Sequence, residues 1–188
     1  MALDRSTLDE LAACLEYPEA TTAARARRAA DSLASFHPEV AAALWNLAVF
    51  LERAACGEAE ERYTTLFDVN PVCTLHVGYH LFGESYARGE LLAGLAGELR
   101  KADVSMNGDL PDFVPVLLRL LGRLAPDDAR MLRETALLPG LRKIAEALVA
   151  SNDPWSRLAC TLPEALTESD DVIEEPRLDS TAAALSLR

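Results

Sequence analysis

His76 and His80 lie four residues apart, and Glu84 follows one helical turn later. On a helix these positions share a face, so two imidazoles and a carboxylate could ligate one metal ion. The chain would then be a metal-dependent hydrolase or oxidase. Against this, Gly83 falls between the second histidine and the glutamate, and HxxxH lacks the general-base glutamate of HExxH. Ordinary hydrogen-bonding histidines are the competing reading. Cys14, Cys56, Cys73 and Cys160 are scattered without a CxxC pair, so no zinc ribbon or iron–sulfur site is spelled out, and a reducing cytoplasm fits best. There is no GxSxG elbow, no cysteine-protease context and no glycine-rich phosphate loop. No cofactor and no catalytic residue is expected.

A second kind of site is a binding corner. His80-Leu-Phe-Gly83-Glu84-Ser-Tyr-Ala-Arg88-Gly89 gathers polar groups where two helices meet at a glycine. Glycine lets another backbone approach closely, and a carboxylate beside it can pair with a ligand's arginine. The plainer reading is that Gly83 permits the turn and Arg88 pairs with Glu84 at i+4. Spacing alone leaves both readings open.

These residues need helices to position them, and the pattern supplies helices throughout. Ser6 with Asp9 resembles a capping box ahead of Leu8, Leu11, Ala12 and Leu15, and Tyr17-Pro18 stops that run. Thr21 or Thr22 caps a second helix through Phe36. Pro38 opens a third, with Val40, Leu44, Leu47, Ala48 and Leu51 on one face and Gly57 at its close. Tyr63, Leu66 and Phe67 share a face of a short helix that Asp68-Val-Asn-Pro71 breaks. Helices on either side of Gly83 come next, then a polar loop around Asn107-Gly108-Asp109 and an apolar helix from Leu110-Pro111 to Leu124. Pro126 opens a further helix, Pro139-Gly140 separates it from another through Leu148, and Asn152 to Pro154 ends the packed part. The expected fold is all-α, a single helical domain over residues 1–162, with residues 163–188 as an acidic, mobile tail.

Composition narrows the partners. The chain is half hydrophobic, rich in alanine and leucine, and carries a formal charge of −12. That field repels phosphate backbones and anionic membranes, so no nucleic-acid partner is expected. No apolar run approaches the roughly 20 residues that span a bilayer, so neither is membrane insertion.

Three elements in order then resemble a known family: Tyr63-Thr-Thr-Leu-Phe67-Asp68, the His80-to-Gly89 corner, and Leu110-Pro111-Asp112-Phe-Val-Pro115. They are similar to the NarJ/TorD family of redox-enzyme maturation chaperones, nearest its nitrate reductase delta-subunit branch. One departure is Glu84, where the family has aspartate. The resemblance implies a TorD-like helical bundle in the cytoplasm, a monomer or a homodimer. It implies a partner, the immature apo catalytic subunit of a molybdopterin oxidoreductase of the dimethyl sulfoxide reductase class. The chaperone would grip that subunit's N-terminal or twin-arginine leader peptide and assist cofactor insertion. Carried over by position, His80, Gly83, Glu84, Arg88 and Gly89 would shape the corner. Tyr63, Phe67 and Asp68 would support it, and Pro111, Asp112 and Pro115 would fix the loop opposite.

Overall fold

A computed structural model describes residues 3–69 and 73–167. Among them are ten α-helices and no strand. The first three are α1 (Arg5–Cys14), α2 (Thr22–Leu33) and α3 (Pro38–Arg53), followed by the short α4 (Glu58–Tyr63). Then come α5 (Val77–Phe82), α6 (Tyr86–Lys101) and α7 (Val114–Leu121). The set closes with α8 (Pro126–Leu132), α9 (Leu138–Leu148) and α10 (Pro154–Thr167). The all-α expectation holds.

Local chemistry accounts for the ends, with three departures from the sequence reading. Asp4, not Ser6, caps α1, its carboxylate accepting the Thr7 amide at 2.7 Å. α3 ends at Arg53, and Gly57 instead begins α4 with φ +82°, a left-handed conformation that glycine adopts freely. Pro139-Gly140 does not separate two helices. A wide turn over Arg133–Leu137 carries α8 into α9, with the Leu138 amide donating five residues back to Arg133. The helical path therefore continues through the proline. A similar wide turn, Thr64–Asp68, extends α4.

The largest correction is at the C-terminal end. The packed part runs on through α10, which contains Pro163 and buries Trp155, Leu158, Leu162 and Leu166. Trp155 is fully enclosed and its indole N–H donates to the Cys14 carbonyl at 3.0 Å, tying the last helix to the first. The expected tail from residue 168 onward lies outside the described residues.

α2 packs on α3, α10 on both α3 and α9, and α1 on α2 and α7. Their leucines, alanines and Trp155 form one continuous core. Bidentate pairs of Arg119 with Glu16 and Arg123 with Asp9 brace α7 to the first helix and the turn after it. α6 is different: of its 16 residues only Leu95 and Leu99 are buried, and it leans mainly on α5.

Candidate functional site

The chain comes together around a single antiparallel bridge. His76 pairs with Phe113, the Val77 amide donates to the Asp112 carbonyl at 3.0 Å, and Val114 donates to Leu75 at 2.9 Å. This bridge holds the start of α5 against the loop that leads into α7.

Behind it lies a buried ion pair. Arg88 of α6 donates through Nε to Asp112 Oδ2 at 3.0 Å, and Asp112 is 0% exposed. Asp112 Oδ1 has no hydrogen-bond partner. Gly78 makes the approach possible, because a Cβ there would stand 2.6 Å from Asp112 Oδ2. Arg88 is therefore a buried pin to the α7 loop and not the i+4 partner of Glu84. Pro111 and Pro115 are buried beside it.

Beside the bridge, a cleft of about 360 Å³ opens between the end of α1, the wide turn after α4 and the loop before α7. Its rings come from Tyr17, Tyr63, Phe67, His76 and Phe113, and its carboxylates from Glu16, Glu19, Asp68 and Asp109. Tyr63 stacks edge-on against Tyr17 and Phe67 at 5.7 and 5.0 Å, and its hydroxyl donates to the Leu15 carbonyl at 2.8 Å. Burial raises the Tyr63 hydroxyl's pKa, so it stays a neutral donor.

His76 stacks on Phe113 at 5.2 Å and shares a hydrogen bond with the Thr74 hydroxyl. Burial lowers its pKa, against the opposing pull of Asp112, so the ring is neutral near pH 7. Burial raises the pKa of Asp109, and nearby Glu16 and Asp68 add to that. His80 does not enter the cleft: its Nε2–H donates to the Thr74 carbonyl at 2.7 Å, and its own carbonyl accepts from Lys143.

The expected site residues thus divide. Tyr63, Phe67 and Asp68 line the cleft. Arg88 and Asp112 lock its back wall, while Glu84 and Gly89 are exposed on the outer side of the corner. Gly83 supplies the turn between α5 and α6 with φ +60°. His76 precedes α5 and does not share its face with His80, and no cluster fit to hold a metal occurs among the described residues. Glu16, Tyr17, Glu19, Asp109 and Phe113 escaped sequence reasoning as site residues, because two segments about 90 positions apart supply them and no spacing connects them to the rest of the cleft.

A second, wider depression lies between α4 and the α9–α10 loop, but its Arg62 already pairs with Glu58 and Asp153, leaving little unsatisfied charge.

Fold and cleft define the class: an all-helical protein with an acidic, aromatic recess and, among its described residues, no metal-binding cluster. The sequence profile of the nitrate reductase delta subunit matches residues 33–161, and the chain belongs to that family. It is 30% identical over 107 residues to the nitrate reductase-like protein NarX of Mycobacterium tuberculosis H37Rv, covering 56% of this chain and 16% of that one. It is 29% identical over 92 residues to the nitrate reductase molybdenum cofactor assembly chaperone NarJ of Escherichia coli K12, covering 48% and 36%. The match thus spans well under half the length of either relative. A putative redox enzyme maturation protein from Archaeoglobus fulgidus shares the fold, with TM-score 0.64 and 18% identity over 89% of this chain and 96% of that one.

Proposed function

We propose that the protein is a cytoplasmic assembly chaperone for a molybdenum-dependent oxidoreductase of the dimethyl sulfoxide reductase class, nitrate reductase being the first candidate client. Membership of the delta-subunit family and the likeness to NarJ support this reading. Among the described residues no helix is long and apolar enough to cross a membrane.

The observation that carries the mechanism is the cleft. Four carboxylates surround a floor of rings, a surface suited to an extended peptide that alternates cationic and apolar side chains. An N-terminal or leader peptide of the client's catalytic subunit has that chemistry when it carries arginines. No covalent step is needed. Preferential binding of the immature subunit lowers the population of exposed or exported forms, and completion of the client removes the preference.

Calorimetric titration with the N-terminal peptide of the catalytic subunit tests this. Wild-type protein binds it, and Asp68→Asn with Asp109→Asn weakens binding by about tenfold, the effect of two partly exposed charge contacts. Glu84→Gln, on the far side of the corner, leaves affinity unchanged. Wild-type affinity in the double variant, or loss in Glu84→Gln alone, would move the site out of the cleft.

A further inference from the structure

Two of the cleft's rings, His76 and Phe113, stand on opposite sides of the antiparallel bridge, one just before α5 and the other just before α7. Their centroids are 5.2 Å apart and their planes tilt by 31°. No covalent tie holds such a stack, so its geometry depends on what fixes the two segments against each other. The bridge itself supplies two hydrogen bonds, Val77 to Asp112 and Val114 to Leu75. A short two-stranded contact is marginal by itself in water.

The loop that brings Phe113 to the bridge needs support as well. Between α6 and α7 it takes three left-handed residues, Asp103 (φ 53°), Asn107 (φ 52°) and Gly108 (φ 96°), and two of these are not glycine. Such conformations persist where the surroundings hold them.

Arg88 is placed to do the holding. Its Nε donates to Asp112 Oδ2 at 3.0 Å, and its guanidinium lies 5.8 Å from the centre of the Tyr79 ring. Its Cγ stands 3.3 Å from where a Cβ on Gly78 would sit. One side chain thus joins α6, α5 and the loop before α7. That side chain is 17% exposed and does not line the cleft. α6 is otherwise lightly seated. It buries only Leu95 and Leu99, and it borders an open apolar depression of about 430 Å³, the α6–α8 groove, which Leu91, Leu124, Met131 and Leu132 face.

We propose that Arg88 is a positioning residue for the cleft: by fixing Asp112 against α5 it sets the register in which Phe113 stacks on His76, and with it the affinity for a client peptide. This rests on the cleft being the peptide site. Arg88 acts without touching the ligand. Asp109 stands three residues before Asp112 on the same loop, so the pin places a carboxylate as well as a ring. A site whose supporting groups are loosened loses affinity even with every lining residue present.

Arg88→Lys tests the proposal. Lysine keeps the cation, so the Asp112 carboxylate is not stranded and the fold persists, but its nitrogen stands one bond further out than Nε and lacks the planar guanidinium face. Proton NMR of the ligand-free full chain should show the His76 and Phe113 ring signals displaced and the Overhauser contacts between the two rings weakened. Calorimetry with the N-terminal peptide of the catalytic subunit should show affinity falling about fivefold. Leu44→Ala is the control, a cavity in α3, which lines neither the cleft nor the bridge. It lowers stability and leaves both readouts at wild-type values. Unchanged ring signals in Arg88→Lys overturn the proposal, and so do displaced rings with wild-type affinity. Equal changes in Leu44→Ala also overturn it, because Arg88 would then serve general stability alone. If the peptide does not bind the wild-type protein, the function assigned to the cleft falls, while the ring signals still decide the role of Arg88.

Discussion

The cleft and the α6–α8 groove are similar in size and opposite in construction. Three of the cleft's lining side chains are held by hydrogen bonds, Tyr63 to the Leu15 carbonyl, Glu16 to Arg119 and His76 to Thr74, and the Arg88–Asp112 pair fixes the loop beside them. The groove's polar backing is one exposed pair, Lys101 with Glu98, and its apolar lining mixes buried Leu95 and Leu120 with half-buried Leu91, Leu124 and Leu132. A surface with fixed polar groups selects its ligand by chemistry, because a poor match leaves those groups unpaired. A surface of half-buried leucines accepts any apolar stripe of suitable width. The first is built to discriminate, and the second carries no such selectivity.

The largest test of that contrast is Arg88→Met. It strands the fully buried Asp112 carboxylate, and thermal or denaturant unfolding should show a loss of about 3–5 kcal/mol. An equivalent loss from a groove residue such as Met131→Ala would erase the distinction. Glycines give the next contrast. A Cβ on Gly140 would run into Val77, the residue whose amide holds the Asp112 loop, so Gly140→Ala should cost about 1–3 kcal/mol. Gly94→Ala in the open groove wall should stabilise by about 0.5–1 kcal/mol through helix propensity alone.

The smallest effect is pH. On acidification His76 gains a proton, and Asp109, with its raised pKa, loses its charge earlier than an ordinary aspartate. Both changes make the cleft more positive. Affinity for a cationic peptide should therefore fall about fivefold between pH 7.5 and 5, and His76→Gln should flatten part of that profile. The folded pKa values of His76 and His80 lie below their unfolded ones. Their stabilising share is thus complete above about pH 6.5 and is lost as pH falls toward the folded values. Calorimetry at each pH, with stability measured alongside, separates the two effects. Binding at the apolar groove should show neither trend.

Helical periodicity made most of the fold legible, since leucines at three- and four-residue spacing say which face is inside. Prolines were the main source of error. Pro163 reads as a stop, yet Trp155, Leu158, Leu162 and Leu166 keep the helical period across it and are buried. Pro139 reads as a break, yet the wide turn before it absorbs the displaced carbonyls. Of the site, Tyr63, Phe67 and Asp68 were reached through the family resemblance, since one contiguous stretch, the end of α4 and the wide turn after it, carries all three. Glu16 and Asp109 could not, since only the tertiary fold brings the end of α1 beside the loop before α7. Arg88 was found for its chemistry, but its partner Asp112 stands 24 residues away, and spacing favoured Glu84.

The bond from Trp155 to the Cys14 carbonyl spans 141 positions, and the Glu16–Arg119 pair spans 103. A growing polypeptide emerging from the ribosome makes its first helix early, but that helix has no seat until translation has delivered α7 and then α10. The core can thus close around Trp155 only once α10 has emerged. A premature stop anywhere before Trp155 should yield a product that is cleared by proteolysis and not a shorter working version.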